Sequence, residues 1–283
     1  MVLRTRLQAP AWKNSAPEAY PGVNREPREL TAHTDMETLD FFLAAAVILL
    51  AYLVRGISGF GSALVAVPLL AHFLPLTFVV PWVVVMDTLA ALLLARSGQR
   101  GGHVRWDEIG WLLPAALLGI VAGILLLVNL DPEPLLVALG LFVAGFGVRN
   151  LLGLHGEQPV SRWWALPAGI LGGSIGALFA TGGPPMVIYL NHRLRDKTAL
   201  RATLSGLFLI EGSLRVAGLG MAGLLLQPQM GWYLLAGVPL MLAGLAIGNH
   251  IHLNLGQRQM AIAIALLLIG SGLSLLWRVL MRV

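Results

Sequence analysis

The chain has 283 residues, of which 57% are hydrophobic and only 12% are charged, and its mean hydropathy is +0.78. Soluble domains contain about 25% charged residues, so this composition excludes an ordinary soluble protein and predicts an all-α polytopic membrane protein. Cysteine is absent, which excludes disulfides, thiolate metal sites and cysteine nucleophiles.

The first 36 residues differ in composition from everything after them. They carry four prolines among polar residues and no apolar run long enough for a signal peptide. We interpret residues 1–36 as a disordered tail. A start of translation at Met36, which leads directly into the first apolar segment, is the alternative.

Ten apolar segments follow, and two of them are short. A membrane-spanning helix needs about 20 apolar residues, and the segments at 60–74 and 184–192 have fewer. We therefore predict about eight full transmembrane helices plus two half-length or re-entrant segments. The other eight segments lie at 38–54, 77–95, 109–128, 134–152, 163–180, 202–221, 232–251 and 259–279.

Each short segment follows an interruption of the apolar sequence. In the second interruption, Gly-Gly-Pro-Pro at 182–185 predicts a helix that stops near Thr181 and restarts at Pro184. A restarting helix directs free N–H groups and partial positive charge into its surroundings, which favours a bound anion. The first interruption, 55–62, reads Arg-Gly-Ile-Ser-Gly-Phe-Gly-Ser. Paired interruptions in two halves are typical of a secondary transporter's substrate site; glycines that only permit close helix packing are the alternative.

The candidate substrate-binding residues all come from these two interruptions. They are Arg55, Ser58, Gly59, Phe60, Gly61, Ser62, Thr181, Gly182, Gly183 and Pro184.

The last five segments repeat landmarks of the first five. Pro114, Gly119 and Gly123 correspond to Pro239, Gly244 and Gly248, and such glycines suggest close helix crossings in both halves. Lysine and arginine concentrate in the connections at 96–105, 149–162, 191–201 and 252–258, and are absent from those at 129–133 and 222–231. The positive-inside rule places the first group in the cytoplasm and gives the halves opposite topology. We predict an inverted repeat: repeat 1 at 37–152, a cytoplasmic linker at 153–162 and repeat 2 at 163–283.

Four ionisable residues lie within or beside the predicted spans: Arg55, Asp87, Glu211 and Arg215. Such residues usually face a partner or a cavity, because each costs about 2.5–3.5 kcal/mol at a helix centre. Arg55 or Arg215 would attract the anion, and Asp87 or Glu211 would carry a coupling proton. The alternative is a set of internal salt bridges.

No metal or other cofactor is expected. His250 and His252 are two residues apart, so on a helix they point to different faces and do not share an ion. The expected partners are a small anion and the lipid bilayer, not nucleic acid, since the positive charges lie in connections. A homodimer is an open alternative to a monomer.

At these residues the chain resembles the sulfite exporter TauE/SafE family of anion permeases. The resemblance rests on the 55–62 stretch with Val-Pro-Leu-Leu at 67–70, on 181–185 with Tyr189-Leu190, and on Arg-Ala-Thr at 201–203. It covers about residues 38–280. It implies transport of sulfite, a sulfonate such as sulfoacetate, or a related organic anion across a bacterial-type inner membrane.

Three other functions compete with a transporter. Gly56-Ile-Ser58-Gly resembles the Gly-x-Ser-Gly of rhomboid-type intramembrane serine proteases, with His250 or His252 as the base, but four residues form a weak motif. An anion channel could use the same pore. A membrane scaffold would leave both interruptions unexplained.

Overall fold

Ten α-helices make up the fold of the computed structural model, which describes residues 38–58, 61–96, 103–152, 160–252 and 257–281. No strand occurs within these residues. The helices are α1 (Thr38–Ser58), α2 (Ser62–Leu70), α3 (Leu76–Arg96), α4 (Trp106–Asn129), α5 (Pro132–Leu151), α6 (Ala165–Phe179), α7 (Gly183–Arg193), α8 (Lys197–Met221), α9 (Met230–His252) and α10 (Gln257–Leu280). The predicted tail at 1–36 and most of the predicted linker lie outside the described residues.

Helix lengths confirm the two short segments and alter two of the long ones, α1 and α6. In α1 the apolar part covers only Phe41–Ile57. Among the described residues, six helices (α3, α4, α5, α8, α9 and α10) are long and apolar enough to cross a membrane. Helices α2 and α7 have only 9 and 11 residues. Helix α6 has 15 residues instead of the 18 expected for 163–180, and at 1.5 Å per residue it spans roughly 22 Å. It is therefore shorter than the hydrocarbon core of a bilayer, about 30 Å.

The helices pair across the sequence. Helix α1 packs mainly on α9, α4 on α6, and α5 on α10, and α3 also contacts α8. Glycines make the first two contacts close. A Cβ on Gly119 of α4 would lie 2.2 Å from the Ile170 carbonyl oxygen of α6, and one on Gly248 of α9 would lie 2.2 Å from the Leu53 carbonyl oxygen of α1. The predicted close crossings are confirmed, because no other residue fits at these positions.

Both interruptions of the apolar sequence are breaks between helices. At the second break α6 ends at Phe179 and α7 begins at Gly183, within two residues of the predicted positions. Ala180 ends α6 with φ 58°, a left-handed conformation that is unusual for a residue with a Cβ. At the first break Gly61 precedes α2 with φ 94°, a conformation that glycine adopts without steric cost.

The start of α8 has a local explanation in its N-cap. The Asp196 carboxylate accepts hydrogen bonds from the backbone N–H groups of Thr198 (3.0 Å) and Ala199 (3.3 Å), which satisfies two donors that the helix leaves free. These bonds stabilise the charged form and lower the pKa of Asp196. The cap separates α8 from α7 and fixes where the Arg193–Lys197 connection turns.

Candidate functional site

A cavity of about 90 Å³ lies where the two breaks meet. A single water needs about 10–15 Å³ of such space, so the cavity has room for several waters or one small anion. The first break contributes Arg55 and Gly61 to its lining, and the second contributes Thr181, Gly183 and Pro184. The rest of its lining comes from Ala180, which follows α6, and from α2, α3, α7 and α8. It includes Leu64, Val84, Asp87, Thr88, Ala91, Val187, Phe208, Gly212 and Arg215.

Arg55 and Asp87 form a well-bonded ion pair on one side of the cavity. Arg55 Nη1 lies 2.9 Å from Asp87 Oδ1 and donates to Ser62 Oγ at 3.0 Å, and Nη2 donates to the Asp87 carbonyl oxygen at 3.3 Å. The hydroxyls of Tyr52 and Ser62 both donate to Asp87 Oδ1 at 2.7 Å. Three helices, α1, α2 and α3, are joined by this network. Arg55 is therefore not the isolated cation that the sequence suggested.

Glu211 and Arg215 form the second pair, and it is much less completely bonded. Arg215 Nη2 lies 3.4 Å from Glu211 Oε2, and Nη1 donates to the Gly176 carbonyl oxygen at 3.2 Å. Both Glu211 oxygens, Arg215 Nε and Thr181 Oγ1 are buried without a hydrogen-bond partner in the described part of the chain, whereas at the first break this holds for Arg55 Nε alone. Buried polar groups are nearly always hydrogen-bonded, so this region has unused donors and acceptors beside a cavity.

Two glycines make room for the Glu211–Arg215 pair. A Cβ on Gly176 would lie 3.0 Å from Arg215 Nη1, and one on Gly182 would lie 2.2 Å from the Gly172 carbonyl oxygen and 3.1 Å from Glu211 Oε1. Gly183, by contrast, would bring a Cβ only into ordinary contact with Phe208, at 3.4 Å. The close approach at the second break is therefore made by Gly182.

The prolines that open α7 limit what the helix itself can offer an anion. The first turn of a helix normally exposes four free N–H groups. Pro184 and Pro185 have none, so only Gly183 and Met186 supply N–H groups among the first four residues of α7. The N–H groups of α7 that could meet an anion are therefore fewer than the sequence alone indicated.

Most of the predicted site residues lie close together in the structure. Some of them line the cavity, and others are buried beside it. The cavity is lined by Arg55, Gly61, Asp87, Arg215 and, from the second break, Thr181, Gly183 and Pro184, whereas Gly182 is not part of the lining. Ser62 is fully buried and bonded within the Arg55 network, and Glu211 is fully buried beside Arg215. Gly59, Phe60 and the side chain of Ser58 lie outside the described residues.

Sequence reasoning missed Tyr52 and a second polar cluster. Tyr52 is fully buried. It lies three residues before Arg55 on α1, a spacing that places both side chains on one helix face and could have indicated its role. Glu108 is 1% exposed, and it accepts hydrogen bonds from the Tyr189 hydroxyl (2.7 Å) and Arg193 Nη2 (2.8 Å). Its position next to Asp107 at the edge of an apolar segment made it look like an interfacial charge.

No group of three or more histidine, cysteine, aspartate or glutamate side chains that could hold a metal occurs among the described residues. His250, which the sequence analysis considered, is exposed.

The chain was compared with known proteins. Residues 44–275 match the family model described as "Sulfite exporter TauE/SafE". A curated relative, "Probable inner membrane transporter protein TsaS" of Comamonas testosteroni, is 34% identical over 202 residues, which cover 69% of this chain and 83% of the relative. No solved structure matches.

These matches and the apolar helices identify a multi-pass transporter of the inner membrane and not an enzyme. The interpretation of Ser58 as a protease nucleophile is thereby wrong. Gly56 of this motif has a packing role, because a Cβ there would lie 2.7 Å from the Leu245 carbonyl oxygen of α9.

Proposed function

Because the chain belongs to the sulfite exporter TauE/SafE family, we propose that it is a proton-coupled secondary transporter of one small anion: sulfite, a sulfonate such as sulfoacetate, or a related organic anion. The anion binds in the cavity between the two breaks. Membrane lipid surrounds the rest of the protein.

The observation that supports this proposal most is the unused hydrogen-bonding capacity at the second break. Arg215 is 7% exposed and Thr181 is 4% exposed, and each keeps a buried donor with no partner in the described chain. Both residues line the cavity. An anion there would receive charge-assisted hydrogen bonds, which are about twice as strong as neutral ones. Arg55 contributes positive charge from the opposite wall but is already paired with Asp87.

Glu211 is the proposed carrier of the coupling proton. Asp87 Oδ1 already receives two hydroxyl hydrogen bonds and a guanidinium group. Glu211 has only Arg215, at 3.4 Å. An anion that pairs with Arg215 removes the charge that stabilises the Glu211 carboxylate, and so favours proton uptake. Anion and proton are then bound together, which is the requirement for coupled transport.

The transporter is further proposed to be an inverted repeat of residues 37–152 and 163–283. The pairing of α1 with α9 and of α4 with α6 supports this, because exchanging the two sets of five helices converts one pair into the other. Cysteines introduced at Gly101 and Asp196 should be labelled only from the cytoplasm, and cysteines at Glu133 and Gln227 only from outside. Labelling of Gly101 and Asp196 from opposite sides would rule out the inverted repeat.

Anion binding is tested by thermal unfolding of the purified protein with sulfite, sulfonates and carboxylates. A ligand that binds only the folded state must stabilise it, by about 2.7 kcal/mol at a concentration one hundred times its Kd. The transported anion should raise the unfolding temperature of the parent, and should raise that of Arg215→Gln by clearly less. Equal stabilisation of both proteins would place the anion elsewhere.

Proton coupling is tested by anion accumulation in proteoliposomes. A channel with the same cavity would equilibrate the anion but would not accumulate it against its electrochemical gradient. Accumulation that appears with a pH gradient, and disappears when a protonophore collapses it, supports the transporter. Flux that is indifferent to the pH gradient would favour a channel.

A further inference from the structure

The polar cluster around Glu108 (Glu108, Tyr189, Arg193 and Arg162) has no part in the proposed anion site. Glu108 is the buried centre of the cluster, and its oxygens accept from the Tyr189 hydroxyl at 2.7 Å and from Arg193 Nη2 and Nε at 2.8 and 3.2 Å. Arg162 Nε approaches Glu108 Oε1 at 3.6 Å. Arg193 Nη1 also donates to the Val160 carbonyl oxygen at 3.2 Å. Four contacts therefore fix α7 to the start of α4 and to the segment before α6.

Helix α7 connects this cluster directly to the cavity. Its first residues, Gly183 and Pro184, and Val187 line the cavity, whereas its last residue, Arg193, belongs to the Glu108 cluster. Two different sides of α7 are therefore used within three turns: Gly183, Pro184 and Val187 face the cavity, and Tyr189 and Arg193 contact Glu108. A movement of the last turn must be transmitted to the break, because a continuous helix moves as a rigid rod.

An apolar layer separates the cavity from the Glu108 cluster. Met186, Leu190 and Leu207 are fully buried there, and they pack with Ile109 and Leu112 of α4 in one cluster. On α8, Leu207 of this layer directly precedes Phe208 of the cavity wall. Along α7, Gly183 and Pro184 of the cavity precede Leu190 of the apolar layer and then Arg193. Along α8 the order in the chain is the reverse, because Arg201 precedes Leu207 of the layer and Phe208 of the cavity.

We propose that the Glu108 cluster is the gate that closes the cavity toward the face where α4 begins and α7 ends. The inference rests on the proposed function, since a gate has meaning only for a transported ligand. In this structure the gate is closed: Glu108 holds α7 against α4, and the side chains of the apolar layer stay packed together. Separation of Glu108 from Arg193 and Tyr189 releases the last turn of α7, which then tilts about the non-helical residues 180–182. Residues at element ends commonly absorb such changes.

On the other side of the cavity residues of α3, we infer a second closure of different chemistry. Phe78 and Trp82 of α3 pack edge-on against Tyr233 of α9, with ring centroids 4.7 and 5.2 Å apart. These rings lie on α3 before its cavity residues Val84 and Asp87. An ion-paired closure on one side and an aromatic closure on the other can be weakened separately, which makes the proposal testable one face at a time.

The test measures access to the cavity with a single cysteine. The natural chain has none, so Ala91→Cys, which lines the cavity from α3 outside the Glu108 cluster, gives a reporter without background. The protein is reconstituted into vesicles, and a membrane-impermeant methanethiosulfonate is applied from one side at a time. Glu108→Gln should raise the labelling rate about tenfold from the Arg193 face, because a minor open state of a few per cent has room for such an increase. The rate from the opposite face should not rise.

The matched control is Asp107→Asn. Asp107 precedes Glu108, and it pairs with Arg105 at 2.8 Å and Arg162 at 3.0 Å, but its side chain is 39% exposed and does not bridge to α7. The control removes the same charge from the same helix turn and should label at the parent rate. An unchanged rate in folded Glu108→Gln, or equal increases in both variants or from both faces, would overturn the gate.

Tyr189→Phe keeps the proposal testable if Glu108→Gln does not fold. This variant removes one hydrogen bond and no charge, and should give a smaller increase from the Arg193 face. A folded Tyr189→Phe protein that labels at the parent rate would count against the gate. Because labelling needs no transported anion, this result is independent of whether Arg215 binds one.

Discussion

The two ion pairs beside the cavity differ in how fully they are bonded. At the first break, Asp87 receives Arg55 and two hydroxyl groups, and the network joins three helices. At the second break, Glu211 has only Arg215, at 3.4 Å, and both of its oxygens lack a hydrogen-bond partner in the described chain. A pair with many hydrogen bonds holds structure in place, whereas a pair with few is free to exchange partners. The first break is therefore interpreted as scaffold and the second as the place of binding.

The largest effect is expected where the satisfied network loses its centre. Asp87→Ala leaves Arg55 buried without its carboxylate and removes the acceptor of the Tyr52 and Ser62 hydroxyls. Breaking a buried pair from one side costs about 3–5 kcal/mol. Denaturant unfolding of the purified protein should show a loss of this size. A loss below about 0.5 kcal/mol, typical of a surface substitution, would remove the distinction between the two breaks.

The next effect separates the two arginines. Arg215→Gln should weaken anion binding by about 1.5–3 kcal/mol, the value of a hydrogen bond to a charged group, with a small loss of stability because Glu211 can take up a proton. Arg55→Gln should show the reverse: a larger loss of stability and a smaller loss of affinity. Isothermal calorimetry measures the affinity of both variants for the anion, and thermal unfolding measures their stability. If Arg55→Gln loses more affinity for the anion than Arg215→Gln does, the anion binds at the first break instead.

Adjacent glycines at the second break give a sharper steric comparison. Gly182→Ala places a Cβ 2.2 Å from the Gly172 carbonyl oxygen, whereas Gly183→Ala makes only ordinary contact with Phe208. Overpacking typically costs about 1–3 kcal/mol, so Gly182→Ala should unfold at a clearly lower temperature than Gly183→Ala, which should stay close to the parent. Equal unfolding temperatures would show that the break relaxes freely around both residues.

The smallest change concerns pH. If the anion binds together with a proton on Glu211, the free energy of binding weakens by up to about 1.4 kcal/mol for each unit that pH rises. Glu211→Gln cannot exchange that proton, and its affinity should be independent of pH while binding itself persists. Calorimetry between about pH 6 and 8 checks both proteins. The same pH dependence in both would assign the proton to another group.

The comparison also explains which site residues could be read from the sequence. Gly-Gly-Pro-Pro and the glycines around Ser58 identify breaks because their backbone preferences are local. The placement of Arg55 beside Ser62 and Asp87 is not local, since Asp87 lies 32 residues away on α3. For that reason the sequence suggested Arg55 as an isolated cation, and Glu211–Arg215, an i,i+4 pair, as one able to satisfy itself. In the structure the opposite holds: Arg55 is paired with Asp87, and the Glu211–Arg215 pair leaves polar atoms without partners.

By itself, the sequence determined the membrane class, the two half-length segments and the positions of both breaks, because apolar length, proline and glycine act within a few residues. It also indicated the close crossings through repeated glycines at Gly119 and Gly248. Only the tertiary structure decided that the breaks share one cavity, that Gly182 makes the close approach, and that Glu108 is buried beneath Arg193. These depend on which helices touch, and helix contacts join residues far apart in the chain whose burial and bonding no local pattern specifies.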